Sequence, residues 1–174
     1  DFCMQNIHSL GYEKLSALSA DKDMDIIKDI FDKASELGLC GVSIDEQYGG
    51  MGLDFNTGLV FSELISLGFS FATTIGAQTS IGSLPIVYYG TEEQKNKYLP
   101  GIATGETVVS YALTEPGAGS DANSGKTKAV LNAAGTHYVI NGQKMWITNG
   151  GFADVFIVFA KIDDDKNLSA FIVE

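Results

Sequence analysis

A chain of 174 residues with 45% apolar content can bury the core of one or two domains, and its 22 acidic against 11 basic residues, a formal charge of −11, oppose the phosphate neutralisation that nucleic-acid binding requires. Cys3, Cys40, His8 and His137 stand apart at no metal or redox spacing, so they read as idle thiols and imidazoles in a reducing, cytoplasmic setting. No run approaches the roughly 18 apolar residues of a membrane span, and the N-terminus has the layout of neither a signal nor a transit peptide, so no stable membrane insertion is expected.

Up to about residue 105 the patterning predicts helices. Asp21 or Asp23 caps the first, whose apolar positions Ile26, Ile27, Ile30, Phe31, Ala34 and Leu37 keep to i, i+3, i+4 spacing until Gly38. A second fits Thr57 to Leu67, and a third, built largely of small residues, fits Phe71 to Ile81. Thr91-Glu92-Glu93-Gln94 then forms a capping box for a short fourth helix ending near Leu99-Pro100-Gly101. After Glu106 the pattern turns to strands: Thr107 to Leu113, Lys126 to Leu131, Tyr138 to Ile140, Gln143 to Ile147, Val155 to Ala160 and Leu168 to Val173. Asn141-Gly142 is a strong hairpin signal, which predicts Ile140 opposite Gln143 and Tyr138 opposite Met145. Asp163 to Asn167 is a charged, solvated turn. The expectation is an α+β chain: an all-α domain over residues 1–106 and an antiparallel β-barrel-like domain over residues 107–174.

Two segments stand out chemically. In Tyr111-Ala-Leu-Thr-Glu-Pro-Gly-Ala-Gly-Ser-Asp121 a strand breaks into a loop whose glycines can turn successive N–H groups toward one anion, a nest suited to a pyrophosphate. The loop satisfies G-x-G-x-x-G/A, but Glu115-Pro116 interrupts the strand, no helix follows and no acidic residue stands at the ribose distance, so a nicotinamide-type fold is rejected. In Met145-Trp-Ile-Thr-Asn-Gly-Gly151 a strand would put Trp146 and Thr148 on one face, where a planar ring could lie. Either segment alone is most simply a turn or a core position; together they suggest a flavin site.

Those motifs, with Leu37-Gly-Leu-Cys-Gly41 and Glu46-Gln-Tyr-Gly-Gly-Met-Gly52 upstream and Asn141-Gly-Gln-Lys144 before the tryptophan, resemble the acyl-CoA dehydrogenase family over nearly the whole chain, with some likeness to its long- and very-long-chain branch. The resemblance implies FAD as cofactor, with Tyr111, Ala112, Leu113, Thr114, Gly119, Ser120, Trp146, Ile147 and Thr148 around it. Thr114 would bond the pyrimidine edge, Ser120 the pyrophosphate and the pantetheine arm, Trp146 would cover one ring face, and Thr148 would approach N5. It implies an acyl-CoA substrate with its tail beside Thr73 and Ala77, an electron-transfer flavoprotein as electron acceptor, and a homodimer or homotetramer. It also implies a further helical domain supplying the catalytic base beyond residue 174, since Glu115 reads as a structural hydrogen-bonding residue. An acyl-CoA oxidase or related flavin oxygenase, and a non-catalytic acyl-CoA-binding module, are the alternatives.

Overall fold

The computed structural model describes Gln5, residues 24–68 and residues 70–174; the capping aspartates Asp21 and Asp23, and Cys3 and His8, lie outside them. Helix α1 (Met24–Glu36) turns Ile30, Phe31 and Ala34 inward, all at most 2% exposed. Leu37, expected on that face, is 57% exposed, because the helix ends at Glu36 and the next residue leaves its period. Two 3₁₀ turns, Leu39–Gly41 and Glu46–Tyr48, lead to α2 (Phe55–Ile65). Asp54 caps α2 by accepting from the N–H groups of Asn56 and Thr57.

Helix α3 (Ser70–Ala77) runs into a π turn, Gln78–Gly82, and then α4 (Leu84–Tyr89), a helix too short for periodicity to reveal. The predicted capping box forms in α5 (Glu92–Thr104): Thr91 Oγ1 accepts from Gln94 N, and Thr91 N donates to the Gln94 side chain. Pro100 does not stop this helix. It forfeits one bond to the carbonyl four residues back, and burial of Leu99, Ile102 and Ala103 offsets that loss until Gly105, at φ 77, ends the element.

The strands form an open, mixed sheet and not an antiparallel barrel. Its members are β1 (Val109–Ala112), β2 (Lys128–Leu131), β3 (Tyr138–Asn141), β4 (Val155–Ile162) and β5 (Ser169–Val173), in the order β1-β4-β2-β3 with β5 also on β4. β4 pairs in parallel with β1 (Val109↔Val155 to Ala112↔Val158) and with β2 (Lys128↔Lys161, Ala129↔Ile162). Periodicity within a strand carries no information on the direction of its neighbour, so only β4 and β5, joined by the turn at Asp163 to Asn167, were legible as partners.

The predicted hairpin at Asn141-Gly142 is absent, and Gln143 to Ile147 is not a strand. Neither Asn141 nor Gly142 has positive φ, which a type I′ turn needs at both centres. Gly142 serves close approach instead: a Cβ there would lie 2.2 Å from Thr127 Oγ1. The hairpin that does form joins β2 to β3 through Asn132 to Gly135, where Gly135 has φ 68 and Asn132 Oδ1 accepts from Thr136 N. Its register pairs Tyr138 with Leu131 and Ile140 with Ala129.

Helices and sheet share a core. Ile44, Tyr48, Ile86, Leu99, Ile102 and Ala103 from the helical part pack with Val109, Val155 and Ile157 from the strands. At the junction the buried Gln78 side chain donates to the carbonyls of Ile102 and Thr107 and accepts from Val109 N at 2.8 Å, satisfying three main-chain groups of two elements. No helix among the described residues is long and apolar enough to cross a membrane.

Candidate functional site

One edge of β1 pairs with β4, and the Val108 carbonyl accepts there from Asp154 and Val155. The other edge meets a segment without regular structure. Val109, whose N–H goes to Gln78, turns its carbonyl outward to Asn149 Nδ2 at 3.4 Å. Ser110 Oγ donates to the carbonyl of Thr148. Further along, the Leu113 carbonyl accepts from Lys144 Nζ at 3.0 Å and the Thr114 carbonyl from Met145 N at 2.9 Å. Residues 144–149 thus run antiparallel to β1, tied at 144–145 and again at 148–149.

Between those ties Trp146 and Ile147 bond to nothing on β1, and the segment arches. Main-chain groups alternate between the two edges of a strand, so the N–H and C=O of Tyr111, like those of Val109, face the gap beneath the arch. Trp146 stands at its crown, 85% exposed and at φ 59, a left-handed conformation uncommon for an aromatic residue. The expected alternation of Trp146 and Thr148 on one strand face therefore does not occur; Thr148 lies half-buried in the turn that follows.

Glu115 anchors the arch at its N-terminal end. It is 8% exposed and accepts from Lys126 N (2.6 Å), Thr127 N (3.1 Å) and Lys144 Nζ (2.9 Å). Burial alone would push its carboxyl up, but the hydrogen bonds from Thr127, Lys144 and Lys126 outweigh burial and hold it at about 2. The structural role read for Glu115 is what these contacts describe. Asn149 anchors the other end: 6% exposed and at φ 65, it donates from Nδ2 to the carbonyl of Thr74 on α3 as well as to that of Val109.

Of the sequence-predicted residues, Tyr111, Leu113, Thr114, Trp146, Ile147 and Thr148 come together along this edge. Ala112 alternates inward, paired with Val158 and 4% exposed. Gly119 and Ser120 lie exposed in the loop beyond a bridge in which Glu115 and Ala118 exchange both main-chain bonds. That bridge occupies the Ala118 N–H, and neither Gly117 nor Gly119 has positive φ, so the loop is not the left-handed nest expected from its composition. On α3, next to the Thr74 carbonyl that Asn149 reaches, Thr73 is exposed and Ala77 buried. Lys144, Asn149 and Ser110 were missed, since nothing in a linear pattern marks a polar side chain that will be buried against main chain.

The outward edge of β1, the segment that carries the exposed Trp146, and α3 are thus neighbours, joined through Asn149. Models of the N-terminal and middle domains of acyl-CoA dehydrogenases match residues 6–106 and 110–174, and the chain belongs to that family. It is 61% identical over 142 residues to a probable acyl-CoA dehydrogenase of Bacillus subtilis, covering 82% of this chain and 24% of that protein. It is 43% identical to the human mitochondrial very long-chain specific acyl-CoA dehydrogenase, over 80% of this chain and 23% of that one. The crystal structure of an acyl-CoA dehydrogenase from Bacillus anthracis complexed with FAD superposes with a TM-score of 0.91 at 52% identity, covering 100% of this chain and 29% of the other. The chain thus spans about a quarter of the length of these two curated relatives.

Proposed function

We propose that this chain forms the flavin-facing part of an FAD-dependent acyl-CoA dehydrogenase acting in fatty-acid oxidation, with the ring edge bonded along β1 and one ring face under Trp146. The gap at Tyr111 carries this reading: a main-chain donor and acceptor are presented at an open strand edge, beneath an arch whose own main chain leaves them unpaired. The fit extends to Thr114 at the end of that edge and to Thr148 beyond the crown. When bound, FAD supplies the acceptor for hydride from the substrate β-carbon.

The chain's residues bind, orient and exclude water. Outward groups of β1 fix the plane of the ring, and the indole shields one face of it. Ser120, exposed on its loop, is proposed to meet the pyrophosphate and pantetheine, and α3 to flank the acyl tail beside Thr73 and Ala77. Loss of the α-proton needs a base held over the α-carbon. Glu115, the only buried carboxylate among the described residues, is unsuited to that role, because it accepts three hydrogen bonds, is paired with Lys144, and at about 2 is too weak a base. We therefore assign the base to another carboxylate of the whole protein, beyond residue 174. We further propose a homodimer or homotetramer that passes electrons to an electron-transfer flavoprotein.

The test is anaerobic titration of the whole protein, loaded with FAD, with acyl-CoA thioesters of several lengths. Bleaching of the flavin absorption with formation of the 2-enoyl thioester is expected, and rapid reoxidation by dye but not by oxygen separates dehydrogenase from oxidase. Binding of thioester with no bleaching at any chain length would support the non-catalytic module instead.

A further inference from the structure

The indole of Trp146 is mostly exposed, its backbone is left-handed, and it makes no hydrogen bond among the described residues. A large aromatic residue keeps such a conformation only where its neighbours determine it. Here the neighbours on both sides are fastened to the same strand. On one side Lys144 reaches Leu113 and Glu115, and Met145 N reaches Thr114. On the other, Ser110 holds the Thr148 carbonyl and Asn149 bridges Val109 and Thr74.

We propose that the two feet of the arch, the Lys144–Glu115 pair and Asn149, are positioning groups that hold the Trp146 backbone in its left-handed conformation beside the Tyr111 gap, so that its indole is stationed there before a planar ring binds. The ligand class rests on the flavin reading above; the preformed indole does not. Asn149 is the firmer of the two feet. Both its amide hydrogens are used, one toward a strand and one toward a helix, so it sets the distance of the arch from β1 and from α3 together. Its own φ of 65 is one that asparagine tolerates, which makes it a hinge-free foot for the less tolerant tryptophan three residues earlier. Lys144 acts at the opposite foot as a charged strut, its half-buried ammonium held between the Leu113 carbonyl and the Glu115 carboxylate.

Trp146 is the only tryptophan of the chain, so its fluorescence reports the arch without any assay of activity. Anisotropy is measured on the flavin-free protein, and FAD affinity on the same samples. Asn149→Asp replaces two donors by an acceptor facing two carbonyls at nearly unchanged volume; Asn149→Gly removes the side chain but permits the same φ; Lys144→Met removes the strut. Each should lower Trp146 anisotropy and weaken FAD binding about tenfold. Lys144→Arg should restore part of both signals. Thr91→Ala, which uncaps α5 away from the arch, is the control for general loosening and should change neither. Folded Asn149→Gly or Lys144→Met protein with the parent's anisotropy would overturn the proposal, as would an equal fall in Thr91→Ala. If the two more severe variants do not fold, Ser110→Ala, which releases only the Thr148 carbonyl, decides in the same way. Unquenched Trp146 emission in parent protein saturated with FAD would instead count against the flavin reading, leaving the arch itself to the anisotropy result.

Discussion

At the scale of single residues the chemistry turns on polar groups buried for orientation, not on titrating catalysts. Glu115 is the clearest. Its carboxyl lies at about 2 in the folded chain against an ordinary 4.5, so between those values the folded state binds fewer protons than the unfolded one. Its contribution to stability, roughly 3 kcal/mol, is therefore fully present above the unfolded value and is lost as pH falls through about 2. Glu115→Gln should flatten the acid side of the urea-unfolding profile measured from pH 3 to 7, and an acid limb identical to the parent's would contradict the assignment. Breaking the pair from the other side, by Lys144→Met, leaves a buried carboxylate with two N–H donors and should cost about 3–5 kcal/mol at neutral pH. Cys40 makes the contrast: burial pushes its thiol up to about 11, against the opposing hydrogen bond to Ser35, and leaves it an inert core group.

Among the elements, α3 with its π turn shows how small residues divide between packing and access. Gly82 is a packing glycine, since a Cβ there would lie 2.6 Å from Val109 Cγ1 and 2.8 Å from the Ala77 carbonyl oxygen. Gly76 faces open space, with nothing within 4 Å of a Cβ. The two should respond differently. Gly82→Ala should lower the melting temperature without altering chain-length preference. Gly76→Leu should leave stability nearly unchanged and reduce turnover of long acyl-CoA substrates more than short ones; equal losses on both would remove α3 from the acyl path. Ala77→Phe is the less informative change, because Ala77 is 4% exposed and overpacking there costs about 1–3 kcal/mol whatever the substrate.

For the molecule as a whole, what was legible in the sequence is what local chemistry dictates. The capping box at Thr91, the apolar face of α1 and the strand leading into Thr114-Glu115-Pro116 all follow from neighbours within a few residues, and they form. The conjunction of the glycine loop with the Trp146 segment pointed to one site; the Trp146 segment runs along β1, whereas Gly119 and Ser120 lie exposed beyond the Glu115–Ala118 bridge. The sheet was misread because β4 takes two of its three partners, β1 and β2, from segments tens of residues away, in parallel, with no hairpin to announce them. Asn141-Gly142 misled because the same dipeptide that makes a tight turn also permits close approach, and Thr127, distant in sequence, decides between the two. The arch was invisible for a related reason: the apolar run Met145-Trp-Ile147 behind Asn141-Gly142 reads as a strand until Lys144 and Asn149 are seen to spend their side chains on the main chain of β1 and the residue after it.

The function proposed for this molecule depends on the outward edge of β1 at Tyr111 being the binding edge for the flavin. Amide hydrogen exchange resolved at Tyr111, with and without FAD, is the decisive measurement. Val109 N–H, already bonded to Gln78 Oε1 at 2.8 Å, should be protected in both states. Tyr111 N–H should exchange readily in the flavin-free protein and become protected when FAD is bound. Bound FAD with unchanged exchange at Tyr111 would show that the flavin binds elsewhere.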